Sequence, residues 1–114
     1  MARKNLLTTN PPYPVEQALS RLGANLRTAR LRRNLTVEEV AAKIGTGRRA
    51  ILEAEKGKPS TSAAVYTALL WAYDLLAPMG TLADPATDTE GLAAPSAQRE
   101  RARAKESREL DSDF

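Results

Sequence analysis

The spacing of apolar residues predicts a first long helix from Val15 to Arg33. Apolar side chains recur there every three or four residues, the period that places them on one face of a helix. They are Val15, Ala18, Leu19, Leu22, Leu26 and Ala29. Asn34 follows, and because asparagine tolerates a left-handed backbone, we expect the helix to end there.

A second, shorter helix is predicted at the start of the segment 35–58. Thr36 and Glu39 have the spacing of a capping box, in which each side chain bonds the backbone N–H of the other residue. Val40, Ala41 and Ile44 form the apolar face. Gly45 then ends the helix, since glycine adopts a left-handed conformation at little cost.

The third helix is predicted from about Gly47 to Lys56. Ile51 and Ala54 are expected to face the core, while Gly57 and Pro59 end the helix. Two short helices joined by a tight glycine turn are typical of a DNA-binding helix-turn-helix, whose second helix enters the major groove.

A fourth helix is predicted from Ser60 or Thr61 to Tyr73, with Leu75-Leu76 extending it or beginning a fifth. Its apolar residues cover more than one face. Two interpretations remain open: the aromatic side chains close the core, or they form a surface for a second copy of the chain or a protein partner. The candidates for that surface are Tyr66, Leu70, Trp71 and Tyr73.

These elements predict an all-α fold, a compact bundle of four to five helices over residues 15–82. Residues 1–14 contain three prolines and are predicted to be a flexible arm, either a disordered tail or one whose Arg3 and Lys4 reach DNA. Residues 83–114 form a turn-rich linker and a charged C-terminal tail, disordered or loosely helical, with too few apolar residues for a core.

The chain contains neither cysteine nor histidine. Ordinary zinc sites and catalysis by Cys–His or Ser–His–Asp groups are therefore excluded. The glycine-containing turns do not fit a phosphate-binding loop. We expect no enzymatic activity, no metal and no cofactor. No apolar stretch is long enough to span a bilayer, so we expect a cytoplasmic protein without a membrane partner.

Charge is distributed unevenly along the chain. Residues 1–58 hold 12 Lys/Arg and 5 Asp/Glu, a net charge of +7, whereas residues 59–114 hold 5 and 9, a net charge of −4. A basic first half suits a polyanion. The acidic second half suggests a different role, such as dimerisation or binding a protein.

Within the helix-turn-helix, the third helix carries the candidates for reading bases, because a guanidinium matches the two acceptors of guanine and a carboxylate can accept from cytosine. These candidates are Gly47, Arg48, Arg49, Leu52 and Glu53. Backbone N–H groups at the start of the second helix and nearby cations are suited to phosphates. The phosphate candidates are Thr36, Val37, Lys43, Lys56, Lys58 and Ser60.

Arg30 and Glu55 both fall where a buried helix face is expected. A buried charge is costly unless it is paired. We therefore predict that these residues form a structural salt bridge between the first and third helices.

The segment Leu35–Lys58 resembles the helix-turn-helix of Xre/Cro-type repressors, a lambda-repressor-like fold. The residues at the family's positions are Leu35, Thr36, Glu39, Ala41, Gly45, Ile51, Glu55 and Gly57. The resemblance covers about residues 17–75 and implies this fold and DNA binding. It also implies pairing of Arg30 with Glu55. Val37 and Gly47 depart from the family's usual Gln and Ser/Thr, which leaves only backbone at these two contacts.

A narrower resemblance concerns residues 67–92. Thr67-Ala68-Leu69-Leu70-Trp71-Ala72, Asp74-Leu75-Leu76, Leu82-Ala83-Asp84-Pro85, Asp88 and Gly91-Leu92 are similar to HipB-type antitoxins. This resemblance implies a cytoplasmic homodimer that binds double-stranded operator DNA, represses its own operon and holds a HipA-like serine/threonine kinase toxin inactive. The alternative is a stand-alone Xre-family regulator with no toxin partner.

Overall fold

The computed structural model describes residues 5–93 and residue 103, and throughout that part of the chain the regular secondary structure is helical. The helices are α1 (Leu6–Thr9), α2 (Tyr13–Arg32), α3 (Val37–Ile44), α4 (Arg48–Glu55), α5 (Ala63–Ala72), a 3-10 helix (Ala77–Thr81) and α6 (Thr89–Leu92). The predicted all-α class is confirmed, and α1 and α6 are additional single turns. Arg3, Lys4 and most of the predicted C-terminal tail lie outside the described residues.

The core lies where α2, α3, α4 and α5 meet. Its largest fully buried side chains come from all four helices, so none of these helices buries its apolar face alone. The buried apolar residues are Leu26, Ala29, Val37, Val40, Ala41, Ile51, Ala54, Tyr66, Leu69 and Tyr73. The predicted inward positions of α3 and α4 are thus buried or, for Ile44, half-buried.

The predicted apolar stripe of α2 is buried only in its C-terminal half. Leu26 and Ala29 are buried, Leu19 and Leu22 are half-buried, and Val15 and Ala18 are exposed, so the first turns of the apolar stripe lie outside the core. The reason is length: a helix of 20 residues is about 30 Å long, while the eight-residue helices α3 and α4 are about 12 Å long.

Local sequence signals define the helix ends as predicted. Thr36 Oγ1 accepts from Glu39 N, and Glu39 Oε1 accepts from Thr36 N, both at 3.1 Å, which confirms the capping box. Asn34 and Gly45 have the left-handed φ values of 54° and 77° that end α2 and α3. The start of α2 is two residues earlier than predicted, because Pro14 lies in its first turn, where a missing N–H costs nothing.

Helix α5 starts later and ends earlier than the apolar pattern indicates. Ser62 caps its start by accepting from Val65 N at 3.3 Å, and Asp74 at φ 59° ends it, so Leu75-Leu76 do not extend it. Tyr66 and Tyr73 are only 6% and 1% exposed. They complete the core, because they point toward α2–α4, and so they are excluded from the predicted partner surface. Leu70 (half-buried) and Trp71 (57% exposed) remain candidates.

Helix α2 and the end of α4 meet backbone to backbone through two glycines. A Cβ at Gly23 would lie 2.6 Å from Ala54 O, and a Cβ at Gly57 would lie 2.6 Å from Ser20 N. Gly57 also has φ +69°. No side chain fits at either position without displacing main-chain atoms, so this contact fixes how closely α4 lies against α2.

Arg33 links the C-terminal ends of α2 and α5. Its Nη1 donates to Ala29 O at 2.9 Å and its Nη2 donates to Tyr73 O at 2.8 Å, while the guanidinium lies 5.6 Å from the centre of the Tyr73 ring. A cation at the negative end of a helix dipole is stabilising, and here one side chain serves two helices.

The chain divides into two units, residues 1–78 and 79–114. Within the second unit, the described residues 79–93 form turns and the single-turn helix α6, whose start is capped by Asp88 Oδ1 accepting from Gly91 N at 2.9 Å. None of the helices in the part of the chain that the structure describes has the length and apolar composition needed to cross a membrane.

Candidate nucleic-acid interface

The turn between α3 and α4 orients the second of these helices. Both Gly45 N and Thr46 N donate to Ala41 O, at 3.0 and 2.9 Å, and Gly45 is left-handed. Gly47 is extended and forms the N-cap of α4. Buried Val40 and Ala41 on α3 and buried Ile51 and Ala54 on α4 hold the two helices together. The opposite side of α4 therefore faces solvent.

That outer side of α4 carries the predicted base-reading residues. Arg48 and Arg49 are exposed, with 64% and 91% of their side chains accessible. Leu52 and Glu53 lie one turn further along and are half-buried, and Leu52 packs against the core. A Cβ at Gly47 would meet nothing within 4 Å, so the space before the helix N-terminus is open.

Carboxylates accompany both arginines. Arg48 Nε donates to Glu38 Oε1 at 2.8 Å, which joins the starts of α3 and α4. Arg49 Nε donates to Glu53 Oε1 at 3.0 Å, and Lys58 Nζ lies 4.0 Å from the same oxygen. Exposed ion pairs of this kind are weak and exchange readily. The arginines are thus oriented yet available to a ligand.

Five of the six predicted phosphate-contacting residues lie at the start of α3 or just after the end of α4. Thr36 and Val37 begin α3, close to Arg48 through its bond with Glu38, although the Val37 side chain itself is buried. Lys56, Lys58 and Ser60 are exposed in the loop after α4. That loop is fixed by Tyr66 Oη donating to Lys58 O at 2.9 Å. Burial raises the pKa of Tyr66, so its hydroxyl stays protonated as a donor.

Lys43, the sixth predicted phosphate-contacting residue, lies at the other end of α3. Its Nζ donates to Ala72 O at 3.3 Å and lies 5.9 Å from the centre of the Trp71 ring. It thus occupies the C-terminal end of α5, at the opposite end of α3 from Thr36. The sequence indicated only an exposed lysine in the last turn of α3, and the structure shows that its ammonium already has a carbonyl and an aromatic partner.

Arg30 and Glu55 connect α2 to the end of α4. Arg30 Nε and Nη2 donate to the two Glu55 oxygens at 2.7 and 3.0 Å, and Nη1 donates to Leu35 O at 2.9 Å. The hydrogen bond with Glu55 raises the pKa of Arg30, so the guanidinium stays charged. One side chain thereby holds the segment that precedes α3 and the last residue of α4.

Three contributors to the geometry of the interface were not predicted from the sequence: Glu38 as the partner of Arg48, Gly23 and Arg33. Glu38 lies in the first turn of α3, where an acidic residue is ordinarily explained by the helix dipole alone. Gly23 has a detectable signal, because glycine inside a long helical pattern commonly marks a close approach. The partner of Arg33, a carbonyl 40 residues away, leaves no sequence signal.

A family model described as "Helix-turn-helix domain" matches residues 21–79, which is just over half of the chain and includes the C-terminal part of α2 and all of α3 to α5. The comparison with curated proteins found no significant match, and neither did the comparison with solved structures. In the structure, α3 and the α3–α4 turn leave the outer side of α4 facing solvent. The chain belongs to the helix-turn-helix domain family and is a DNA-binding regulator of the general Xre type.

Proposed function

We propose that the protein is a homodimeric, sequence-specific repressor that binds a two-fold operator and acts as the HipB-like antitoxin of a HipA-like kinase. The observation that carries the DNA-binding part is the outer side of α4. Two exposed arginines lie there, with Lys56 and Lys58 beyond the helix end. In a dimer, each α4 would enter the major groove of one half-site, with the half-sites about 34 Å apart.

Replacement of Arg48 or Arg49 by alanine is expected to weaken operator binding by about 1–3 kcal/mol each, since each removes one base-reading guanidinium. The operator would first be selected from a pool of random duplexes by the wild-type protein. Binding would then be measured by fluorescence anisotropy at two salt concentrations. A loss of equal size on all duplexes would assign these arginines to phosphates instead.

Arg32→Ala is the matched control. It removes the same charge from an exposed position on α2, in a groove lined by Thr28 and Leu75 and not by residues of α4. Operator affinity should change little. If Arg32→Ala weakens binding as much as Arg48→Ala, general electrostatic attraction explains the binding and α4 is not the reading helix.

The apolar side chains around α5 support a dimer. This helix, AAVYTALLWA, is apolar on nearly every side, yet Trp71 is 57% exposed and Leu75, just after the helix, is 43% exposed. A helix that is apolar all round is usually buried on all sides. A second copy of the chain at Leu70, Trp71 and Leu75 would complete that burial, and two linked α4 helices would match a palindromic operator.

The antitoxin role is supported by the similarity of residues 67–92 to HipB-type proteins. Expressed from its native operon, the protein is expected to co-purify with an untagged, kinase-sized product of the adjacent gene. It should also bind the promoter of that operon. If the protein emerges alone as a dimer that still binds the promoter, the antitoxin role is refuted and a stand-alone Xre-family regulator remains.

A further inference from the structure

The first turn of α4 carries positive charges at the positive end of the helix dipole. Gly47 provides no side-chain cap, and the turn contains no acidic residue. Arg48 and Arg49 instead occupy the first two positions, where the partial positive charge of the helix N-terminus disfavours cations. An anion supplied from outside the helix would therefore stabilise this end.

In the free protein that anion is Glu38, in the first turn of α3. Its Oε1 accepts from Arg48 Nε at 2.8 Å, and both side chains are about two-thirds exposed. The hydrogen bond from its own backbone N–H, followed by that from Arg48, lowers the pKa of Glu38. The carboxylate is therefore charged at neutral pH and lies directly against the Arg48 guanidinium.

The bond between Glu38 and Arg48 uses Nε alone. Among the described residues, neither terminal nitrogen of Arg48 has a hydrogen-bond partner. These two nitrogens can donate to guanine O6 and N7 while Nε remains on Glu38. A phosphate, by contrast, gains its energy from net charge, and the adjacent carboxylate repels it. Glu38 is thus compatible with base reading and opposes a contact made only to phosphate.

We propose that Glu38 is a specificity-determining residue, which orients Arg48 toward a base and weakens binding to non-operator DNA more than binding to the operator. This inference rests on the proposed DNA-binding function. Glu53 holds Arg49 in a similar way but is itself a candidate for reading bases, so Glu38 gives the cleaner test.

The test compares wild type with Glu38→Gln on two probes: the operator selected from random duplexes and a scrambled duplex of the same length. The variant is expected to bind the scrambled duplex about threefold to tenfold more tightly at 50 mM salt, with a salt slope steeper by about 1. Operator affinity should change by less than about threefold, since its base contacts remain. Equal changes on both probes, or none, would overturn the proposal.

Two further variants distinguish a local effect of Glu38 on Arg48 from general repulsion of DNA by a carboxylate. Glu90→Gln makes the same change in net charge on α6, outside the helix-turn-helix, and should leave both affinities as they are. In an Arg48→Ala background, Glu38→Gln should lose its effect on the operator-to-scrambled ratio. Persistence of the effect there would show general repulsion and refute the proposal. If wild type itself binds neither probe, the proposed function fails as well.

Discussion

Replacing Gly57 with alanine is expected to destabilise the domain by about 2–5 kcal/mol, enough to unfold much of it. Two costs add at this position. The left-handed backbone disfavours a side chain by about 1–2 kcal/mol, and a misfit in a packed interior costs about 1–3 kcal/mol. The added Cβ would meet the Leu19 carbonyl and would lie 2.6 Å from Ser20 N. Chemical denaturation followed by circular dichroism measures the loss.

Two other glycines separate these costs. Gly45 has φ +77°, but a Cβ there would meet nothing within 4 Å, so Gly45→Ala reports backbone strain alone. Gly23 has ordinary helical geometry, but its Cβ would lie 2.6 Å from Ala54 O, so Gly23→Ala reports the steric clash. All variants are compared at one protein concentration, because a dimer's stability depends on it. If Gly57→Ala costs no more than Gly45→Ala, the close approach of α4 to α2 is refuted.

Arg30→Met is expected to cost about 3–5 kcal/mol, because it leaves the Glu55 carboxylate buried without its partner. The Glu55 side chain is only 6% exposed, and Leu35 O loses its donor in the same variant. Since Glu55 is the last residue of α4, the C-terminal end of α4 should loosen too. Urea denaturation would report the stability, and operator binding the effect on α4.

A double variant provides the control. Arg30→Met with Glu55→Met removes both charges and leaves no buried ion, so the pair together should cost much less than the sum of the single variants. The coupling energy from this cycle should be among the largest in the domain. Additive losses would mean that the two side chains do not interact strongly in solution, contrary to their separations of 2.7 and 3.0 Å.

Operator binding by these stability variants distinguishes folding from recognition. Arg48 and Arg49 are exposed and support no core residue, so their loss should reduce DNA binding without lowering the unfolding midpoint. Gly57 and Arg30 act on the position of α4, so their loss should reduce both. This contrast makes the predictions for the interface independent of those for the fold.

Features that depend on residues close together in the chain could be predicted from the sequence. The capping box of Thr36 and Glu39 and the left-handed Asn34 and Gly45 follow from residues at most a few positions apart. The apolar periods of α3 and α4 placed Val40 and Ile51 in the core. Such signals are readable because hydrogen bonds within one turn do not depend on the rest of the chain.

The Arg30–Glu55 contact is longer in range, yet the sequence still indicated it. Two opposite charges at inward positions of different helices have few acceptable arrangements, because an unpaired buried charge is so costly. The position of Arg48 and Arg49 after the turn likewise made them the candidates for approaching DNA. Their function as base readers remains a prediction.

Which of several similar side chains come into contact depends on how the helices pack, and the sequence does not indicate it. Tyr66 and Tyr73 turn inward while Trp71 stays exposed, although all three lie within one apolar stretch. Lys43 caps α5 instead of lying beside α4, and Glu38 meets Arg48 ten residues away. The spacing of apolar and charged residues indicates which face of a helix is buried and which is exposed. Which side chains then meet depends on the crossing angle and the distance between helices, and here Gly23 and Gly57 set the distance between α2 and α4.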